Sequence, residues 1–142
     1  MTLKKTLALV VMGLSLVFSS LPSVAEVNVS EAWVRLLPPM SKMTAAYMNL
    51  KSDQDDRLIS VSSDIAKTIQ IHQSKAENGV MSMQQVTNLA LPKGVLVELK
   101  PQSYHLMVMG LVKPLHKTES YLFTLEFEKA GKLDIQVPVR NP

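Results

Sequence analysis

His105 and Met107 lie in the run Tyr104-His105-Leu106-Met107-Val108-Met109, where strand alternation puts one imidazole and two thioethers on a single face. Upstream, His72 lies in a second strand-like run, Met81 and Met83 lie in a third, and the chain contains no cysteine. Soft sulfur selects Cu(I) and imidazole accepts copper readily, so imidazole plus thioether without thiolate is a donor set suited to that ion. Two imidazoles and two thioethers would fill a tetrahedral shell. Mg²⁺ or Ca²⁺ would need a cluster of oxygen donors, which is absent here, and zinc is more usually given Cys, His or carboxylate.

Short β-type runs separated by turn residues must position these side chains, because the sequence has almost no helical periodicity. The pattern predicts strands over Val29–Leu36, Ala45–Lys51, Leu58–Ser62, Thr68–Gln73, Val80–Val86, Val95–Lys100, Tyr104–Met109, Tyr121–Glu128 and Leu133–Val139. About nine short strands in one small domain predict an all-β Greek-key sandwich or barrel. The last two runs read as a hairpin turning at Lys129-Ala130-Gly131-Lys132, and Pro138 places the final run at a sheet edge or bulge. Leu37–Met43 and Gly110–Lys117 read as the longest loops.

Alternation also sorts the metal-candidate strands. Ile69 and Ile71 oppose Gln70 and His72, while Leu106 and Val108 oppose His105 and Met107. The aliphatics take the core, which predicts histidines and methionines on the outer, wetter face or at strand ends. For Met81 and Met83 the sorting is weaker, since Ser82 and Gln84 on the other side are poor core residues.

Residues 1–25 read as a secretory signal, with basic Lys4 and Lys5, an apolar stretch from Leu7 to Phe18, and a small-residue cleavage site at Ser23-Val24-Ala25. The expected mature domain is 26–142, exported to the periplasm, with no stable membrane insertion after cleavage. Removing the signal takes away two lysines and no acid, so the net charge falls from +3 to +1. A nearly neutral domain with scattered cations has no electrostatic footprint for nucleic acid. Without cysteine there is no disulfide framework, and methionine is the sulfur donor that suits an oxidising compartment.

The spacing His72, ten residues, Met83, twenty-one residues, His105, one residue, Met107 resembles the H-x10-M-x21-H-x-M signature of the PCu(A)C periplasmic copper chaperones. Given His72, a chain with nine methionines and three histidines meets the other three positions by chance roughly once in ten thousand. The similarity extends to Ala32-Trp33-Val34-Arg35, Ala45-Ala46-Tyr47-Met48 and His105–Leu111. It implies a cupredoxin-like Greek-key fold that binds one Cu(I) through His72, Met83, His105 and Met107. It further implies delivery to copper-accepting assembly proteins or an oxidase subunit on the cytochrome c oxidase assembly route. Some relatives carry a His- and Met-rich C-terminal tail with a second site, whereas this sequence ends at Arg140-Asn141-Pro142, so one principal site is expected.

Met81 and Met109, each two residues from a proposed ligand, are expected to shield the metal rather than bind it. Met40 and Met43 in the Pro38-Pro39 loop are candidates to close over it, and Met48 reads as packing. His116 beside Lys117 reads as solvated, Trp33 as a core anchor, and Arg35 as a structural salt-bridge or hydrogen-bond partner. An electron-transfer blue-copper centre would need a cysteine thiolate. No Cys nucleophile, nucleophilic-serine elbow or paired carboxylate supports an enzyme. The alternative reading is a metal-independent interaction module with a Met-rich surface.

Overall fold

The alternation that is clearest in the sequence is also the clearest in space. In the computed structural model, which describes residues 19–142, strand β9 (Ser120–Phe127) buries Tyr121, Phe123, Leu125 and Phe127, and β10 (Gly131–Arg140) buries Val137 and Val139. They pair antiparallel from Gly131 opposite Phe127 to Pro138 opposite Ser120. The hairpin therefore turns through Glu128, Lys129 and Ala130, one residue earlier than the sequence suggests, with Gly131 at φ +75° starting the return strand. The buried Asp56 carboxylate accepts the Lys129 and Ala130 N–H groups at 2.8 and 3.0 Å and the Arg57 N–H at 2.8 Å, which anchors the turn.

Eight further strands complete the fold: β1 Val27–Arg35, β2 Met43–Ser52, β3 Asp56–Ser62, β4 Ala66–Glu77, β5 Val80–Val86, β6 Leu89–Leu91, β7 Leu96–Leu99 and β8 Tyr104–Leu111. The order β4-β8-β2-β1-β10-β9-β3 closes on itself through Val61 of β3 opposite Ile69 of β4, which makes a seven-stranded barrel. Strands β5, β6 and β7 extend from β4, β3 and β2. All ten elements of the described residues are strands, and no helix there is long and apolar enough to cross a membrane. The all-β, cupredoxin-like expectation is borne out, with a tenth strand, β6, too short at three residues to show alternation. The basic and apolar stretches expected of a secretory signal, Lys4 to Phe18, lie outside the described residues.

Val34, Leu50, Leu106, Val108, Phe123 and Leu125 are fully enclosed in the barrel, each burial worth about 1.5–3 kcal/mol. Met48, 1% exposed, packs with them as expected. Pro138 departs from expectation. Its strand is interior to the sheet at its end, where Val139 and Arg140 pair parallel with Val34 and Arg35 of β1. A prolyl nitrogen is tolerated there because Val139 donates to the Glu119 carbonyl at 3.1 Å, so Pro138 gives no bond to β9, and the pairing with β1 on its other side begins only at Val139.

A bulge in β1 decides which side chains reach the candidate site. Ser30 pairs with Asn49 but Trp33 pairs with Tyr47, so Glu31 and Ala32 oppose one residue, with Glu31 at φ +51°. The extra residue inverts the alternation: Val27 is buried before it and Val34 after it. Trp33 is thereby turned out of the core and stacks on Tyr47 with ring centroids 4.6 Å apart. The core-anchor expectation for Trp33 is corrected, because a bulge leaves no mark in a hydrophobic pattern this short.

Candidate metal centre

Strands β4 and β8 pair so that His72 stands opposite His105 and Ile71 opposite Leu106. The aliphatic pair faces the core, and the imidazoles share the outer face with ring centroids 5.8 Å apart. One expectation needs correction: His105 is only 3% exposed, so it does not lie on a wet surface. It lies in a groove of about 440 Å³ whose walls include Tyr47, Ser74, Met81 and Gln102, drawn from strands and turns far apart in the chain.

The hydrogen bonds set the tautomers. His105 Nδ1 is 3.1 Å from the Ser103 carbonyl, which can only accept, so Nδ1 carries the proton and Nε2 keeps a free lone pair. His72 Nε2 is 2.9 Å from Gln70 Oε1 and donates to it, which leaves the lone pair on Nδ1. Both lone-pair atoms, His72 Nδ1 and His105 Nε2, are buried and without a partner. An orphaned buried polar atom is costly and rare, and a metal ion would satisfy both. The His72 pKa is pushed down, first by burial and then by the neighbouring His105, so this ring stays available as a neutral donor near pH 7.

The methionines complete the donor field. Met107 follows His105 on the same face of β8, opposite Gln70 of β4 and Ala45 of β2. Met83 stands opposite Ser74 on β5 and is 63% exposed. Met107, Met83 and His105 line the same groove, with His72 across from His105 at its side. The groove also takes in Met81 and Met43, whereas Met109 sits opposite Met43 outside the lining, and Met40 and His116 are exposed elsewhere. The weak sorting of Met81 and Met83 has a simple cause: β5 pairs only with β4, outside the barrel, so neither of its faces is core. Among the described residues no three His, Cys, Asp or Glu side chains cluster, and the side chains of the groove suited to a soft ion beside the imidazole are thioethers.

Gln70 and Ser103, which hold the imidazoles, were not singled out from sequence. Each lies two residues before its histidine, which is the only local signal they leave. Arg35 also differs from expectation, since no carboxylate of the described residues lies within ion-pair range. Its guanidinium instead rests over the Tyr47 ring, 5.7 Å from the centroid, with Nε buried and unpartnered in the groove wall.

The LpqE-like family model, described as a lipoprotein family, matches residues 27–139. A relative named "Putative lipoprotein Lxx21020", from Leifsonia xyli subsp. xyli (strain CTCB07), is 31% identical, the match covering 96% of this chain and 87% of that protein. Among solved structures, the copper-bound PCuAC domain from PmoF2 superposes with a TM-score of 0.70 at 24% identity, over 84% of this chain and 97% of that one. CuI-DR1885 from Deinococcus radiodurans superposes with a TM-score of 0.64 at 28% identity, over 87% of this chain and 82% of that one. The resemblance drawn from the sequence is borne out: the chain belongs to the LpqE-like family and has the PCuAC fold.

Proposed function

We propose that this protein is a Cu(I) metallochaperone that holds one ion through His72 Nδ1, His105 Nε2 and the thioethers of Met83 and Met107. The observation that carries this reading is that two imidazoles paired across β4 and β8, with ring centroids 5.8 Å apart, each keep one buried, unpartnered nitrogen, beside thioethers that line one groove. The copper in the structures of the PmoF2 domain and DR1885 supports the choice of cargo.

Release follows from the same donors. A thioether is neutral and can leave the ion without stranding a charge, and Met83 is exposed enough for an acceptor's ligand to displace it first. The imidazoles, fixed by Gln70 and Ser103, would be displaced last. Ligand exchange of this kind needs no catalytic nucleophile or acid, so the role is delivery rather than catalysis. The recipient is a copper-accepting assembly protein or oxidase subunit of the cytochrome c oxidase route. The site of action is the periplasm, reached by cleavage after Ala25. The chain has no cysteine to carry a thioether-linked lipid, whereas the Leifsonia relative is named a putative lipoprotein.

Met40, Met43, Met81 and Met83 are each more than half exposed, which favours one competing reading, a metal-independent docking surface. An anaerobic Cu(I) titration against a coloured chelator separates the two, using mature protein and the His72→Ala/His105→Ala variant. One tight equivalent, lost in the variant, supports the chaperone; equal weak uptake by both would overturn it in favour of the docking surface.

A further inference from the structure

The groove that holds Met83, His105 and Met107 has one charged side chain in its lining, Arg35, and no aspartate or glutamate. An arginine on a protein surface normally finds a carboxylate or stays in water. Arg35 finds no carboxylate among the described residues: it is half-buried, and its Nε is buried without a partner. Its guanidinium lies over the Tyr47 ring, 5.7 Å from the centroid, and that ring packs in turn against Trp33, which favours this position of the charge. Ring, ring and guanidinium pack side by side on β1 and β2, with Tyr47 and Arg35 in the same groove wall as Met43. The result is a positive charge with no carboxylate partner, beside a site whose proposed donors are all neutral.

We infer that Arg35 sets the oxidation state of the bound copper, holding it as Cu(I) by repelling Cu(II) more strongly. The inference rests on the proposed copper site and adds a determinant that the donor set does not contain. Coulomb repulsion at a given distance is proportional to the charge of the ion, so whatever factor Arg35 takes from Cu(I) affinity, it takes the square of that factor from Cu(II) affinity. Thioethers already prefer the monovalent ion, but imidazole binds both states, and two of the four donors are imidazoles. A neighbouring cation discriminates where imidazole does not. The charge acts through the open groove and is partly screened, so the expected factors are modest.

The test compares wild type with Arg35→Met, Arg35→Gln and Arg35→Lys in the full mature chain, measuring Cu(I) and Cu(II) affinities separately and the reduction potential of the loaded protein. In the two neutral variants, Cu(I) affinity rises about three-fold and Cu(II) affinity about ten-fold. The potential falls by about 28 mV, the three-fold change in their ratio at 59 mV per decade for one electron. Arg35→Lys keeps the wild-type potential. Equal gains for the two ions, or an Arg35→Lys variant that behaves like Arg35→Met, would assign Arg35 to packing and overturn the inference. If the neutral variants fail to fold, wild type still decides: raising the ionic strength relieves the repulsion and must lower the potential, and a salt-independent potential sinks the idea. Absence of a His-dependent Cu(I) equivalent in wild type would instead be a failure of the copper site itself.

Discussion

His72 and His105 face each other across the β4–β8 ladder with ring centroids 5.8 Å apart, and each has one nitrogen held by a local acceptor and the other left without a partner. The acceptors differ, a side-chain amide for one and a backbone carbonyl for the other, and so do the free atoms, Nδ1 on His72 and Nε2 on His105. That asymmetry lets two rings on adjacent strands offer lone pairs without either one giving up its orienting bond.

The tautomers can be read directly. Long-range ¹H–¹⁵N correlation spectra of the apo protein should show His72 protonated at Nε2 and His105 at Nδ1, and Cu(I) should shift the unprotonated nitrogen of each ring without moving the proton. A His105 ring protonated at Nε2 would remove that atom from the site.

Proton competition gives the pH dependence a definite sign. Burial and His105 lower the His72 pKa below its ordinary value of about 6.5, so protons displace copper only in more acidic solution. Cu(I) affinity should hold from pH 7.5 to about 6.5, and should decline further down, approaching about ten-fold per pH unit for each proton taken up. The apo fold should follow the same direction. Because the unfolded chain takes up the proton more readily, the His72 contribution is fully present above about 6.5 and is lost as the pH falls through its lowered folded-state value. Affinity that stays flat to pH 5 would argue against imidazole ligation.

Two methionines of one chain should behave in opposite ways. Met107→Leu nearly conserves volume on the outer face, so it should cost less than about 1.5 kcal/mol of stability while Cu(I) affinity drops ten-fold or more. Met48→Ala, in the core at 1% exposure, should cost about 2–5 kcal/mol and leave the affinity of the folded protein unchanged. Urea unfolding and chelator competition on both variants check this, and Met107→Leu with wild-type affinity would exclude Met107 as a ligand.

Asp56 separates fold from site in another way. Its buried carboxylate accepts three backbone N–H groups, two of them in the β9–β10 turn, on strands that do not line the groove of His105, Met83 and Met107. Asp56→Ala should destabilise the domain by about 2 kcal/mol through unsatisfied donors, with Cu(I) binding by the folded fraction intact. A loss of copper affinity larger than the unfolded fraction explains would show that the turn and the site are coupled.

The local chemistry was legible in the sequence because strand alternation and ligand spacing are properties of neighbouring residues. The period-two pattern identified β9, β10 and the inner face of β8. The composition excluded thiolate chemistry, and the spacing of His72, Met83, His105 and Met107 pointed to the family. What the sequence could not specify is non-local. The facing of His72 and His105 depends on the register of two strands 33 residues apart, and the burial of His105 depends on a groove assembled from β1, β2, β5 and the turn before β8. The turning of Trp33 and Arg35 onto the site face depends on one extra residue at Glu31, which inverts every side chain after it. Pairing register and bulges are settled by which strands meet when the barrel closes. The sequence by itself therefore determined which donors this protein has, and only the tertiary structure decided which of them share a groove, which nitrogens are free, and that a lone arginine stands beside them.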